Sequence, residues 1–106
     1  GNDDLTVPLL SLGAKGVISV LSNVRPKRTL QMVRACQAGD YAAAGRMQVA
    51  LTPLIDALFS EINPIPVKQA LSLMGIPAGL PRLPLTPLSA THLPALEQAL
   101  SAAPEP

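Results

Sequence analysis

Cysteine, histidine, aromatic residues and charge are all scarce in this 106-residue chain, and each scarcity removes a class of function. A single cysteine, Cys36, leaves no internal disulfide to form. It stands at helical spacing from Met32 and reads as a small buried hydrophobe rather than a nucleophile, and a reducing, cytoplasmic setting fits. The lone histidine, His92, has no second His or Cys at ligand spacing, so no metal site is expected and it reads as a surface residue at a helix start. Charged residues make up 14% of the chain and the net charge is +1, which argues against a polyanion-binding surface. The one basic cluster, Arg25, Lys27 and Arg28, has no interleaved aromatics and reads as a solvated helix start, so no nucleic-acid partner is expected. Tyr41 and Phe59 are the only aromatics, and the core must therefore rest on Leu, Val, Ile, Met and Ala. Mean hydropathy is high at +0.34, yet proline or charge interrupts every long apolar stretch. No run of about 20 apolar residues is present to cross a membrane, and no basic, signal-like leader precedes the first apolar residues. No Met opens the chain, and Gly1-Asn2-Asp3-Asp4 reads as the middle of a longer protein.

What the chain does have is one strand-like segment with nothing to pair with. Gly16-Val17-Ile18-Ser19-Val20-Leu21 is short, apolar and rich in β-branched residues, the pattern of a strand buried on both faces of a parallel sheet. Everything after Leu21 is helix-patterned or proline-rich. A lone strand leaves unpaired N–H and C=O groups, each costly when buried, so its partners are expected to come from elsewhere, in a larger α/β protein.

Five helices are expected around that strand, spanning about residues 17–21. In the first, Asp3 or Asp4 caps a turn carrying Leu5, Leu9 and Leu12 at i, i+4, i+7, and Gly13 stops it. After the loop Ser22–Arg25, Pro26 begins a second helix with Leu30, Val33 and Cys36 toward one face and Gly39 at its end. Asp40 caps a third, longer helix bearing Tyr41, Ala44, Met47, Gln48, Leu51, Ile55 and Leu58 in register. Pro53 falls inside it, and because the pattern resumes beyond, a kink is expected rather than a break. A fourth helix carries Val67, Leu71 and Met74 and closes at Gly75. Pro77, Pro81, Pro84 and Pro87 keep residues 76–88 extended and irregular. Ser89 or Thr91 caps the last helix, with Leu93, Leu96 and Leu100, and a frayed tail follows from Ala102. Residues 1–39 thus read as a helix–strand–helix slice of a β/α architecture, and residues 40–106 as an appended three-helix region.

Reactive constellations are few. Asp3 and Asp4 read better as helix caps than as an acid/base pair, and Ser19 and Ser22 have neither a base nor a nucleophile elbow around them. Gly13-Ala14-Lys15-Gly16 lacks P-loop spacing. Lys15 and Lys68 are the isolated lysines to weigh as Schiff-base nucleophiles, a role that needs a dry pocket. Lys15 precedes its strand, whereas barrel active sites lie after strands, and Lys68 falls on a helix outside the sheet, so both read as surface residues. In a β/α barrel the catalytic mouth would be lined by the loop from Leu21 to Arg25 and by Gly1–Asp4.

Three stretches carry a resemblance. Gly13-Ala14-Lys15-Gly16-Val17-Ile18-Ser19-Val20, continuing to Asn23-Val24, resembles the eighth strand of the dihydrodipicolinate synthase family, and Gly1-Asn2-Asp3-Asp4 is similar to the turn after its seventh. Asn63-Pro64-Ile65-Pro66-Val67-Lys68 and Arg82-Leu83-Pro84-Leu85-Thr86-Pro87-Leu88 resemble its C-terminal helical region. The resemblance implies a (β/α)8 TIM barrel with a C-terminal helical domain, of which this chain is the last part. It implies a lyase that condenses pyruvate with aspartate semialdehyde on the route to lysine, without a cofactor, through a Schiff-base lysine and a proton-relaying tyrosine that this chain lacks. The chain alone is then expected to be inactive. Two residues carry over as substrate-binding pocket wall: Ile18, matching the isoleucine against pyruvate, and Gly1, matching the glycine at the end of the seventh strand. The resemblance also implies a homo-oligomer, a tetramer in the family, with Leu9 and Leu12 as candidate interface residues. The alternative is a free-standing helical interaction module that hides its strand by pairing with a second chain.

Overall fold

The computed structural model describes residues 1–105. Helices α1 (Thr6–Ser11), α2 (Pro26–Gln37), α3 (Tyr41–Leu58), α4 (Ile65–Leu73) and α5 (Leu93–Ala102) carry the fold, with 3-10 turns at Asp3–Leu5 and Leu21–Asn23. Five helices are thus where the period placed them.

The strand is not formed. Residues 14–19 have no regular secondary structure, and Leu21 has already turned into the second 3-10 turn. A strand exists by virtue of its ladder, and here the described residues supply one rung: the Gly1 nitrogen donates to the Ile18 carbonyl at 3.1 Å. Ile18, expected to be buried on both sides, is 86% exposed.

The helices are built as local rules dictate. Pro26 occupies the first turn of α2, where an N–H would have no intrahelical partner. Asp40 caps α3, its Oδ1 accepting the Ala43 N–H at 3.1 Å. Gly39 and Gly75, at φ +79° and +80°, end α2 and α4 in the left-handed region that a side chain would strain. Helix α3 runs through Pro53 as one element. The hydrogen bond that Pro53 lacks would have gone to Val49, and both residues are on the exposed side of the helix, where losing it costs least.

Helix α3 is the spine of the core. Its Leu51, Leu54, Ile55 and Leu58 are almost fully buried against Leu21 and Val24, Met32 of α2, Val67 and Ala70 of α4, and Leu96 and Leu100 of α5. Each such leucine contributes about 1.5–3 kcal/mol of burial. A smaller cluster of Leu10, Cys36 and Ala44 joins α1, α2 and α3.

Several expected faces are rotated. On α1 the buried residues are Thr6 and Leu10, while Leu5, Leu9 and Leu12 are 41, 44 and 83% exposed. The α-helix begins at Thr6 after a 3-10 turn, which shifts the inward face by one residue relative to a count from Asp3. On α2 Thr29, Met32 and Cys36 face inward, with Val33 half-buried and Leu30 exposed. On α4 Val67 is buried together with Ile65 and Ala70, whereas Leu71 is half-buried and Met74 exposed. His92, rather than Ser89 or Thr91, stands at the start of α5. Of the tail, Ala103 is buried and its carbonyl accepts from Arg25 Nε, and the Pro104 carbonyl accepts from Arg28 Nε, so as far as Glu105 it is not frayed; Pro106 lies outside the described residues. No helix among the described residues is long and apolar enough to cross a membrane.

Candidate functional site

The two residues that the resemblance places at a pocket are brought together. Gly1 meets Ile18 through the nitrogen-to-carbonyl hydrogen bond, and a Cβ on Gly1 would stand 3.7 Å from the Val17 side chain. Ile18 points its side chain away from the rest of the chain.

Beside them lies a buried carboxylate that accepts three hydrogen bonds. Asp3 is 1% exposed. Its Oδ2 accepts the Val20 and Leu21 N–H groups, both at 3.0 Å, and its Oδ1 accepts the Ser19 hydroxyl. Asp3 is therefore a cap, as its residue type suggested, but of the 3-10 turn at Leu21–Asn23 and not of its own helix. Ser19 Oγ in turn accepts the Ser22 N–H at 2.9 Å. The Asp3 carbonyl accepts from Thr6 Oγ1 at 3.0 Å and from Gln48 Nε2 at 2.9 Å, while Gln48 Oε1 accepts the Val7 N–H at 3.1 Å. Gln48 was read in the buried register of α3 without a role. A glutamine among core leucines signals a hydrogen-bonded partner, and that signal was present in the sequence although the partner was not.

The other candidates disperse. Asp4 is exposed, on a shallow cleft of about 210 Å³ with Asn2, Ile55, Asp56 and Phe59, so the two adjacent carboxylates do not act as a pair. Lys15 is exposed on a cleft of about 290 Å³ with Leu10, Gln37 and Tyr41, and Lys68 donates to the Ala78 carbonyl at 3.0 Å, tying α4 to the proline-rich segment. Cys36 is 4% exposed, and burial pushes its thiol above the ordinary value, which suits a hydrophobe. No group of three or more His, Cys, Asp or Glu able to hold a metal occurs among the described residues.

His92 Nδ1 lies 2.6 Å from Glu61 Oε2 and 3.2 Å from Ser89 Oγ. Glu61 Oε2 also accepts the Ser89 hydroxyl and N–H, at 2.7 and 3.1 Å. A serine relay needs the hydroxyl and the acid on opposite ring nitrogens; here one nitrogen faces both, and the cluster instead latches the start of α5 to the segment before α4. Hydrogen bonds from His92 and then Ser89 hold the Glu61 carboxyl below the usual carboxylate range.

Arg25, expected to be solvated, is 6% exposed. Its guanidinium donates to the carbonyls of Val24, Leu100 and Ala103 and touches Met74 Sδ at 3.5 Å. Burial lowers its pKa and Glu105 raises it.

Comparisons with known proteins identify the family. The profile described as the dihydrodipicolinate synthetase family matches residues 1–103. The 4-hydroxy-tetrahydrodipicolinate synthase of an Exiguobacterium species is 52% identical over 102 residues, covering 92% of this chain and 35% of that protein. The crystal structure of dihydrodipicolinate synthase from Thermotoga maritima superposes with a TM-score of 0.92 at 44% identity, over 95% of this chain and 34% of that one. The chloride-inhibited Acinetobacter baumannii enzyme, solved in complex with pyruvate, gives a TM-score of 0.90 at 41% identity, over 96% and 35% of the two chains. The chain thus spans about 35% of the length of the curated relatives it matches, and it belongs to the dihydrodipicolinate synthetase family.

Proposed function

We propose that this chain is the C-terminal third of a 4-hydroxy-tetrahydrodipicolinate synthase, a Schiff-base lyase that condenses pyruvate with aspartate semialdehyde in lysine biosynthesis. Residues 1–39 supply the last helix–strand–helix part of its (β/α)8 barrel, and residues 40–106 its C-terminal three-helix region. The observation that carries the reading is the pairing of Gly1 with Ile18, which sets an apolar, exposed isoleucine beside a bare backbone. Ile18 and Gly1 are the walls of the pyruvate pocket. An apolar wall keeps the imine dry and favours a neutral, nucleophilic lysine amine. That lysine and the proton-relaying tyrosine belong to sequence outside this chain, so the chain alone is inactive.

In the full barrel, residues 16–20 complete a strand against neighbours from the same protein, which is why Ile18 finds no cover here. Leu9 and Leu12 face a second subunit of a cytoplasmic homo-oligomer.

Borohydride reduction in the presence of pyruvate tests the reading. The full-length protein is expected to trap one pyruvate on a lysine outside this chain, and the isolated chain to trap none. A stable reduced adduct on Lys15 or Lys68 would overturn the assignment.

A further inference from the structure

Ile18 is 86% exposed, so no side-chain packing within this chain holds it in place. Its position is decided by the backbone on either side. On the C-terminal side, the next three residues are pinned by one carboxylate: the Ser19 hydroxyl donates to Asp3 Oδ1, and the Val20 and Leu21 N–H groups donate to Oδ2. Gly1, two residues before Asp3, donates to the Ile18 carbonyl. Both walls of the proposed pocket therefore hang from Asp3.

The chemistry selects this residue type. Three donors converge on one side chain, and a carboxylate is acceptor-only, with two oxygens able to take all three. An asparagine has one oxygen for the Val20 and Leu21 N–H groups and turns its NH2 toward Ser19 Oγ, whose hydrogen must then leave this site. Asp3 is anchored in turn, because its carbonyl is held by Thr6 Oγ1 and by Gln48 Nε2 from the middle of α3. The line of contact runs from the helical spine through Gln48 and Asp3 to the loop that follows Ile18.

We infer that Asp3, oriented by Gln48, is a positioning residue for the pyruvate pocket, fixing Gly1 and Ile18 relative to one another without touching the substrate. This rests on the pocket reading given above. It acts on where the walls stand, and so on pyruvate binding and imine formation.

The test uses the full-length enzyme ending in this chain, as wild type, Asp3→Asn, Ser19→Ala and Leu96→Ala. The last removes a buried core leucine of α5 and serves as a purely structural control. Pyruvate KM, the rate of imine formation and the melting temperature are measured for each. Asp3→Asn is expected to raise the pyruvate KM and slow imine formation by on the order of tenfold to a hundredfold, the usual cost of a misplaced reacting group. Ser19→Ala moves both in the same direction by less, while Leu96→Ala lowers the melting temperature and leaves the KM unchanged. If the aspartate and serine variants melt earlier but bind pyruvate and form imine as wild type does, the inference fails and Asp3 is only structural. If Asp3→Asn does not fold, Ser19→Ala decides the question by the same readout. A wild-type enzyme that traps no pyruvate overturns the pocket reading, and the inference with it.

Discussion

The carboxylate of Glu105 accepts the backbone N–H of Arg28 at 3.0 Å, so the last described residue of the chain caps the first turn of α2. Helix α2 begins at Pro26 with no acidic residue in its first turn and no side-chain cap of its own. The anion it lacks locally arrives from 77 residues away, where the unpaired N–H groups and the helix dipole favour negative charge.

Removing that anion should loosen both ends of the contact. Glu105→Gln is expected to cost about 0.5–1 kcal/mol, in the range of a lost helix-terminal charge. Urea unfolding measures it. Added salt should narrow the difference between the two proteins, because the interaction is partly exposed.

Arg25 should matter more. Its guanidinium donates to three carbonyls, two of them, Leu100 and Ala103, at the C-terminal end of α5. Arg25→Met leaves those acceptors buried and is expected to cost about 2–4 kcal/mol. Arg25→Lys should recover only part of this, since an ammonium cannot reach the same fan of acceptors. Equilibrium unfolding of the three proteins gives the order.

The Glu61 latch carries a pH dependence whose sign follows from its depressed carboxyl. A folded-state pKa below the unfolded one stabilises at pH above the unfolded value, about 4.3 for glutamate, and that stabilisation is lost as pH falls through the lower folded value. The melting-temperature gap between wild type and Glu61→Gln should therefore hold steady above the unfolded value and close as pH falls below it. A gap unchanged across that range would show that the ionised form is not what Ser89 and His92 recognise.

Pro53 offers a gain. Alanine at this exposed position restores a donor to the Val49 carbonyl in a helix that already runs straight through it as one element. Pro53→Ala is expected to stabilise by about 1–2 kcal/mol, the helix-interior penalty of proline less its advantage in the unfolded chain. Thermal or urea unfolding decides it, and a loss of stability would mean that the Pro53 ring supports the packing of Leu54 and Leu58.

Leu9 on α1 and Leu12 just past its end are exposed, while Leu10 between them is buried. If they meet a second subunit, the double variant Leu9→Asp, Leu12→Asp in the full-length protein should reduce the mass seen by light scattering. Its monomer fold should persist, because neither side chain enters the core.

The α3 register shows how far local pattern reaches. A period of 3.6 puts Tyr41, Ala44, Met47, Gln48, Leu51, Ile55 and Leu58 on one face; five of the seven are buried, while Met47 is half-buried and Tyr41, in the first turn, is exposed. Eighteen residues give the period enough turns to be unambiguous. Six residues in α1 do not, and there a single 3-10 turn moved the buried face from Leu5 and Leu9 to Thr6 and Leu10. The strand failed for a different cause: Val17 and Ile18 have the composition of a strand, but a strand is a relation between segments, and the described chain offers Ile18 only Gly1.

The helices, their proline starts and glycine ends, the Asp40 cap, the continuity through Pro53 and the membership of a family are legible along the chain, because each is written in spacing and residue type over a few turns. The roles of Asp3, Arg25, Gln48 and Glu105 emerge from the folded arrangement. Apart from the neighbouring Val24, the hydrogen-bond partners of their side chains lie between 16 and 78 residues away. A hydrogen bond across such a distance leaves no periodic mark in either segment; it forms because folding removes both groups from water and each must then find the other.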